Sequence, residues 1–145
     1  MFGKCLCGNI SFEIDRENIR LYQCHCSLCR KQSGSYSNAA TIVENEKFRY
    51  LTGKELIKSW VKESGFRSDF CSVCGSPVPN PLRNTNFYWV PAGLLENSTP
   101  SDKVIAHLCI SSKASWAPLS VNTENHEDLP PLEYVLGLLN PEENS

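Results

Sequence analysis

The stretch CHCSLCRKQSG, Cys24 to Gly34, sets three thiols within six residues and two cations directly behind them. Thiols this crowded act as a disulfide staple, a reactive dithiol or a metal clamp, and each choice ties different parts of the chain together. Two more short pairs enter the same reading: Cys5 with Cys7 in CLC, and Cys71 with Cys74 in CSVC. A CxxC turn brings two sulfurs to one ion while its amides donate hydrogen bonds to them, and a CxC segment does so from an extended turn. Cys5, Cys7, Cys71 and Cys74 make one complete tetrahedral set, which would close a long loop. Cys24, Cys26 and Cys29 supply three ligands only. A zinc held by three protein groups keeps a replaceable position, where a thiol can bind or a carbonyl can be polarised. Reactive dithiols remain the alternative for the paired cysteines.

Composition limits what the rest of the chain does. Its 145 residues suit one domain, and 14 basic against 16 acidic side chains leave a formal charge of -2. That balance offers no general pull on phosphate backbones or anionic membranes, so neither nucleic acid nor membrane is an expected partner. The start, MFGKCLCGNISF, has no long apolar run before a small-residue cleavage site, and no later run approaches membrane length. The reading is a soluble chain of the cytoplasm or nucleus, and eight cysteines gathered in short motifs favour metal binding there over disulfides.

The segments around the cysteines read mainly as sheet. NISFEI, 9–14, alternates Ile10, Phe12 and Ile14 with polar neighbours, the period of a half-buried strand, and DREN turns it. IRLYQ, 19–23, leads into CHCSLC, which places that cluster at a strand end and in the loop behind it. YSNAATIV, 36–43, is another strand candidate, and KFRYLTG with ELIKSWV forms an expected antiparallel pair around Gly53. Phe48, Tyr50, Ile57 and Trp60 are expected packing groups. Gly75, Pro77, Pro79 and Pro81 argue against a helix after CSVC, while NFYWVPAG and VIAHLCI read as core strands. Residues 132–139 suit a short docking turn or helix, with the last few residues frayed.

Taken in order, CLCGNISFEI, CHCSLCRKQSG, FCSVCGSPV, VPAGLL and SSKASW resemble the CENP-V and glutathione-dependent formaldehyde-activating enzyme family over most of the chain. The resemblance implies a mainly β, Mss4-like zinc-binding fold of antiparallel sheets, with the family domain over 1–120 and a C-terminal extension over 121–145. It implies two zinc ions per chain: a structural one on Cys5, Cys7, Cys71 and Cys74, and a catalytic one on Cys24, Cys26 and Cys29. It also implies a carbon-sulfur lyase activity that joins glutathione, as co-substrate, to formaldehyde.

Arg30 and Lys31 are candidates to face the glutathione carboxylates, against the plainer reading of two solvated charges. His25 can donate to a ligand or move protons, but adjacency to Cys24 does not make it a metal ligand. Gly34 reads as a turn residue, and Cys109, in an apolar run, reads as a buried thiol rather than a fourth ligand. The competing class is a zinc-stabilised module that binds a protein surface without catalysis. The oligomeric state is not written in the sequence.

Overall fold

A computed structural model of the chain describes residues 1–141; the expected fraying of the last few residues falls outside them. In chain order the elements are β1 (Phe2–Lys4), β2 (Ser11–Ile14), β3 (Arg20–Cys24), α1 (Ser27–Ser33), β4 (Ala40–Glu44), β5 (Phe48–Thr52), β6 (Ile57–Val61), β7 (Arg67–Cys71), β8 (Asn80–Pro81), β9 (Phe87–Pro91), β10 (Lys103–Leu108), β11 (Glu124–Asn125) and α2 (Leu132–Leu139). The fold is mainly β, in antiparallel and mixed sheets. The chain divides into two compact units, Met1–Glu17 with Ile42–Thr99, and Asn18–Thr41 with Pro100–Ser145. The division falls within β4.

In the first unit β2 is the centre of a three-stranded sheet, antiparallel to β1 and to β5. Its alternation is kept: Phe12 and Ile14 are buried, Ser11 and Glu13 are not. Phe12, Ile14, Val43, Phe48 and Val90 form one core cluster. The Phe48 ring stacks on Tyr88 with the ring centroids 4.2 Å apart and the planes 17° from parallel. A second cluster joins Ile10 and Val78 to Cys5 and Cys71, so two thiols belong to the apolar interior.

The expected pairing of KFRYLTG with ELIKSWV does not form. β5 pairs with β2, and β6 pairs with β7 from Ile57–Cys71 to Val61–Arg67. Gly53 is left-handed at φ 77°, but a 3₁₀ turn at Lys54–Leu56 follows it and sends the chain into a different sheet. Trp60, expected to pack, is 54% exposed, because β6 and β7 make a two-stranded ribbon and leave its face uncovered.

In the second unit β3 runs antiparallel to β4, with Tyr22 opposite Ala40, but parallel to β10, which is also parallel to β11. The sheet is therefore mixed where an antiparallel one was expected. Parallel pairing needs a crossover of about a dozen residues or more, and the chain between β3 and β10 is far longer than that. The strand predicted over 36–43 starts only at Ala40, since Tyr36 to Ala39 form the return from α1. VIAHLCI stops pairing at Leu108, and Cys109 takes a left-handed φ of 57°. Residues 132–139 are helical, with Val135 and Leu139 buried. Arg20 of β3 reaches the Leu138 carbonyl at 3.4 Å.

Candidate metal centres

CLC occupies the turn between β1 and β2. Cys5 N–H donates to the Ile10 carbonyl at 3.0 Å, and Gly8 N–H donates to the Cys5 carbonyl at 3.0 Å, which curls Cys7 back over Cys5. CSVC begins at the last residue of β7 and folds into a knuckle, with Gly75 N–H on the Cys71 carbonyl at 2.8 Å. The four sulfurs of Cys5, Cys7, Cys71 and Cys74 lie within 4.8 Å of one another. Cys7 Sγ is 3.6 Å from Cys5 Sγ and 3.8 Å from Cys71 Sγ. A tetrahedral zinc with Zn–S bonds of about 2.3 Å asks for sulfurs about 3.8 Å apart, so the group fits that ion.

Donors surround these sulfurs. Ile10 N–H donates to Cys5 Sγ at 3.4 Å, and Ser76 Oγ lies 3.4 Å from Cys74 Sγ. Ser76 also accepts from Leu6 N–H at 2.9 Å, so one hydroxyl links the two cysteine turns. The Ser76 hydroxyl holds the Cys74 thiol down at about 5. At Cys7 the Asn9 backbone pulls the other way from burial and the three sulfur neighbours, which together push that thiol up to about 11.

The second group is built at the junction of β3 and α1. Cys24 ends β3, Cys26 caps α1 by accepting Cys29 N–H at 3.4 Å, and Cys29 sits one turn into the helix. α1 was not anticipated from sequence, which placed a loop there. Its signals were local: a thiol acting as cap, cations in the last turn, and Gly34 closing the helix at φ 69° with its N–H on the Arg30 carbonyl at 2.8 Å. The three sulfurs lie within 4.8 Å of one another. Cys24 and Cys29 as S–H donors hold the Cys26 thiol far below its usual range, and the same contacts push Cys24 up.

Asn38 is a site residue that sequence reading missed. Its backbone N–H donates to the Cys24 carbonyl at 3.2 Å, its Oδ1 accepts from Cys24 N–H at 2.7 Å, and its Nδ2 donates to Cys29 Sγ at 3.5 Å. One buried side chain thereby sets the spacing of two thiols that are five residues apart. Nothing in the local sequence marks it, because its partners lie across the return from α1.

Arg30 is half-buried and Lys31 exposed, both in the last turn of α1. Cys109 approaches Cys24, but it does not join the mutually close sulfurs. It is half-buried rather than buried, because its left-handed turn lifts it off the end of β10. His25 is fully buried, and burial pushes it and the buried His107 below the ordinary imidazole range.

Two thiol groups able to hold metal ions, one of four sulfurs and one of three, on a mainly β scaffold define the class of this protein. Residues 1–111 match the family described as glutathione-dependent formaldehyde-activating enzyme, and the chain belongs to that family. The crystal structure of a Rhodobacter sphaeroides protein, a structural-genomics target, is similar at a TM-score of 0.57 and 25% identity, over 69% of this chain and 92% of that one. No curated protein sequence matches the chain. No helix among the described residues is long and apolar enough to cross a membrane.

Proposed function

We propose that this protein is a zinc-dependent carbon-sulfur lyase that takes glutathione, or a related small thiol, and formaldehyde to the S-hydroxymethyl adduct. The observation that carries the reading is the convergence of Cys24, Cys26 and Cys29 without a fourth ligand atom among the described residues. Cys5, Cys7, Cys71 and Cys74 would hold a structural zinc, and the group of three a second one. An ion at the group of three would supply positive charge that keeps an incoming thiol ionised near neutral pH.

In the reaction the glutathione sulfur attacks the carbonyl carbon, a C–S bond forms, the C=O π pair moves to oxygen, and that oxygen takes a proton. Atoms and charge balance without any oxidant. The chain's own part is placement. Cys26 at the start of α1 and Cys29 one turn on hold their sulfurs on a rigid element, and Asn38 fixes their distance from β3. Arg30 and Lys31, in the last turn of the same helix, would face the glutathione carboxylates; Arg30 keeps a buried Nε without a partner among the described residues. We place this activity in the cytoplasm, where glutathione is abundant and thiols stay reduced.

The test compares initial rates of adduct formation, followed by NMR, for zinc-loaded wild type and Cys26→Ala. Glutathione and S-methylglutathione are titrated in parallel. Wild type should bind the free thiol more tightly and raise the rate above the solution reaction, and folded Cys26→Ala should lose both effects. Equal binding of both glutathione forms, with no rate difference between the two proteins, would move the assignment to a zinc-stabilised module that binds a protein surface.

A further inference from the structure

The residue between the first two thiols, His25, meets a second buried imidazole. His25 Nε2 lies 2.8 Å from His107 Nδ1, and both side chains are at most 1% exposed. The backbone enforces the meeting. β3 and β10 run side by side with Leu108 opposite Cys24, and His25 N–H donates to the Leu108 carbonyl at 2.9 Å.

A hydrogen bond between two imidazoles needs one donor and one acceptor, and the far end of the pair decides which is which. Ser120 backbone N–H is directed at His107 Nε2 at 3.3 Å, so that nitrogen carries a lone pair. The Ser120 hydroxyl, 3.4 Å from the same nitrogen, can only donate to it as well. The proton of a neutral His107 therefore sits on Nδ1 and is donated to His25 Nε2. His25 then carries its own proton on Nδ1, a buried atom beside the Tyr36 backbone. Tyr36 covers the His25 ring at 6.1 Å, and Trp116 meets Tyr36 edge on at 5.5 Å.

We propose that His25 and His107 are a directional pair of positioning residues that lock the three-thiol loop to β10, running from Ser120 N–H through His107 to His25. The functional half of this inference rests on the metal reading above; the tautomers do not. Neither nitrogen of His25 is left with a free lone pair, so it cannot be a ligand. It serves as the anchored spacer that turns Cys24 and Cys26 toward the same point. Partners of this kind, one step removed from the ligands, change metal affinity by about 10- to 100-fold when lost.

Long-range proton–nitrogen NMR on histidine-labelled protein at neutral pH should show both rings protonated on Nδ1 alone. A proton on Nε2 of either ring would overturn the pair. Cobalt titrations then separate its function from general folding. His107→Leu should weaken the three-thiol site about 10- to 100-fold and alter its ligand-field bands, whereas His107→Asn, whose amide keeps a donor near the Nδ1 position, should recover most of the loss. The four-thiol group in the same molecule is the internal standard. Wild-type cobalt affinity in both folded variants would overturn the positioning role. If wild type takes up no second metal ion, the metal reading fails, and the tautomer spectrum still decides the pair.

Discussion

Gly53 turns the chain where no side chain fits. Its φ is 77°, and a Cβ built there would collide with the Asn9 carbonyl and come within 2.9 Å of Ile10 Cα. Backbone cannot yield as a flexible side chain would. Gly34 has a similar φ of 69°, but a Cβ would meet nothing within 4 Å. Gly34→Ala should therefore cost about 1–2 kcal/mol, the left-handed penalty alone, and Gly53→Ala about 2–5 kcal/mol with the clash added. Urea unfolding of the two metal-loaded variants checks this, and the reverse order would refute it. Asn38 allows a sharper test of the three-thiol group. Asn38→Asp keeps the acceptor for Cys24 N–H, removes the donor to Cys29 and adds negative charge beside the sulfurs. Its metal affinity at that group should fall by about 10-fold or more while circular dichroism stays unchanged. Unaltered metal competition would show that Asn38 only supports the backbone.

At the scale of elements, the β6–β7 ribbon delivers Cys71 to the first thiol group, and an ion pair steadies it. Asp69 on β7 is buried, and both of its oxygens accept from Arg67, at 2.8 Å and 3.0 Å. Arg67 also donates to Ser59 across the ribbon at 3.3 Å, and Val78 N–H reaches the Asp69 carbonyl at 2.9 Å. Arg67→Ala leaves a buried carboxylate without its charged donor, so a loss of about 1.5–3 kcal/mol in chemical denaturation is expected. Arg67→Lys should restore only part of it, because an ammonium cannot grip both oxygens at once. Equal stability of all three proteins would mean that water replaces the guanidinium at no cost. The exposed Trp60 on the same ribbon should tolerate Trp60→Lys with little change in melting temperature, contrary to what its aromatic character alone would suggest.

For the molecule as a whole, the two thiol groups differ in what they cross-link. Cys7 and Cys71 are 64 residues apart, whereas Cys24 and Cys29 belong to one turn of chain. An ion on the four-thiol group closes a long loop, and its binding free energy adds directly to that of folding. Purified under reducing, chelator-free conditions, the protein is expected to carry two zinc equivalents. Cys71→Ala should lower the melting temperature more than Cys29→Ala, and equal transitions would contradict the division of roles. Because thiols must shed their protons to bind, metal release should grow as pH falls, with the zinc content dropping first at the group of three.

Seven of the eight cysteines could be assigned to two groups from sequence because ligand pairs at CxC and CxxC spacing are local geometry, carried by a turn whatever the rest of the chain does. The buried positions of β2 were legible for the same kind of reason, since strand alternation is set within a few residues. Pairing is another matter. β5 joins β2 rather than β6, and β3 lies parallel to β10, because partner choice depends on which distant apolar faces meet during packing. The supporting groups follow the pairing. Asn38 reaches Cys24 and Cys29 only across the return from α1, and His107 meets His25 only because β10 lies against β3. The sequence by itself determined which atoms can hold metal; tertiary structure alone decided which side chains aim them, since a buried hydrogen bond exists only once both partners have been brought into one place.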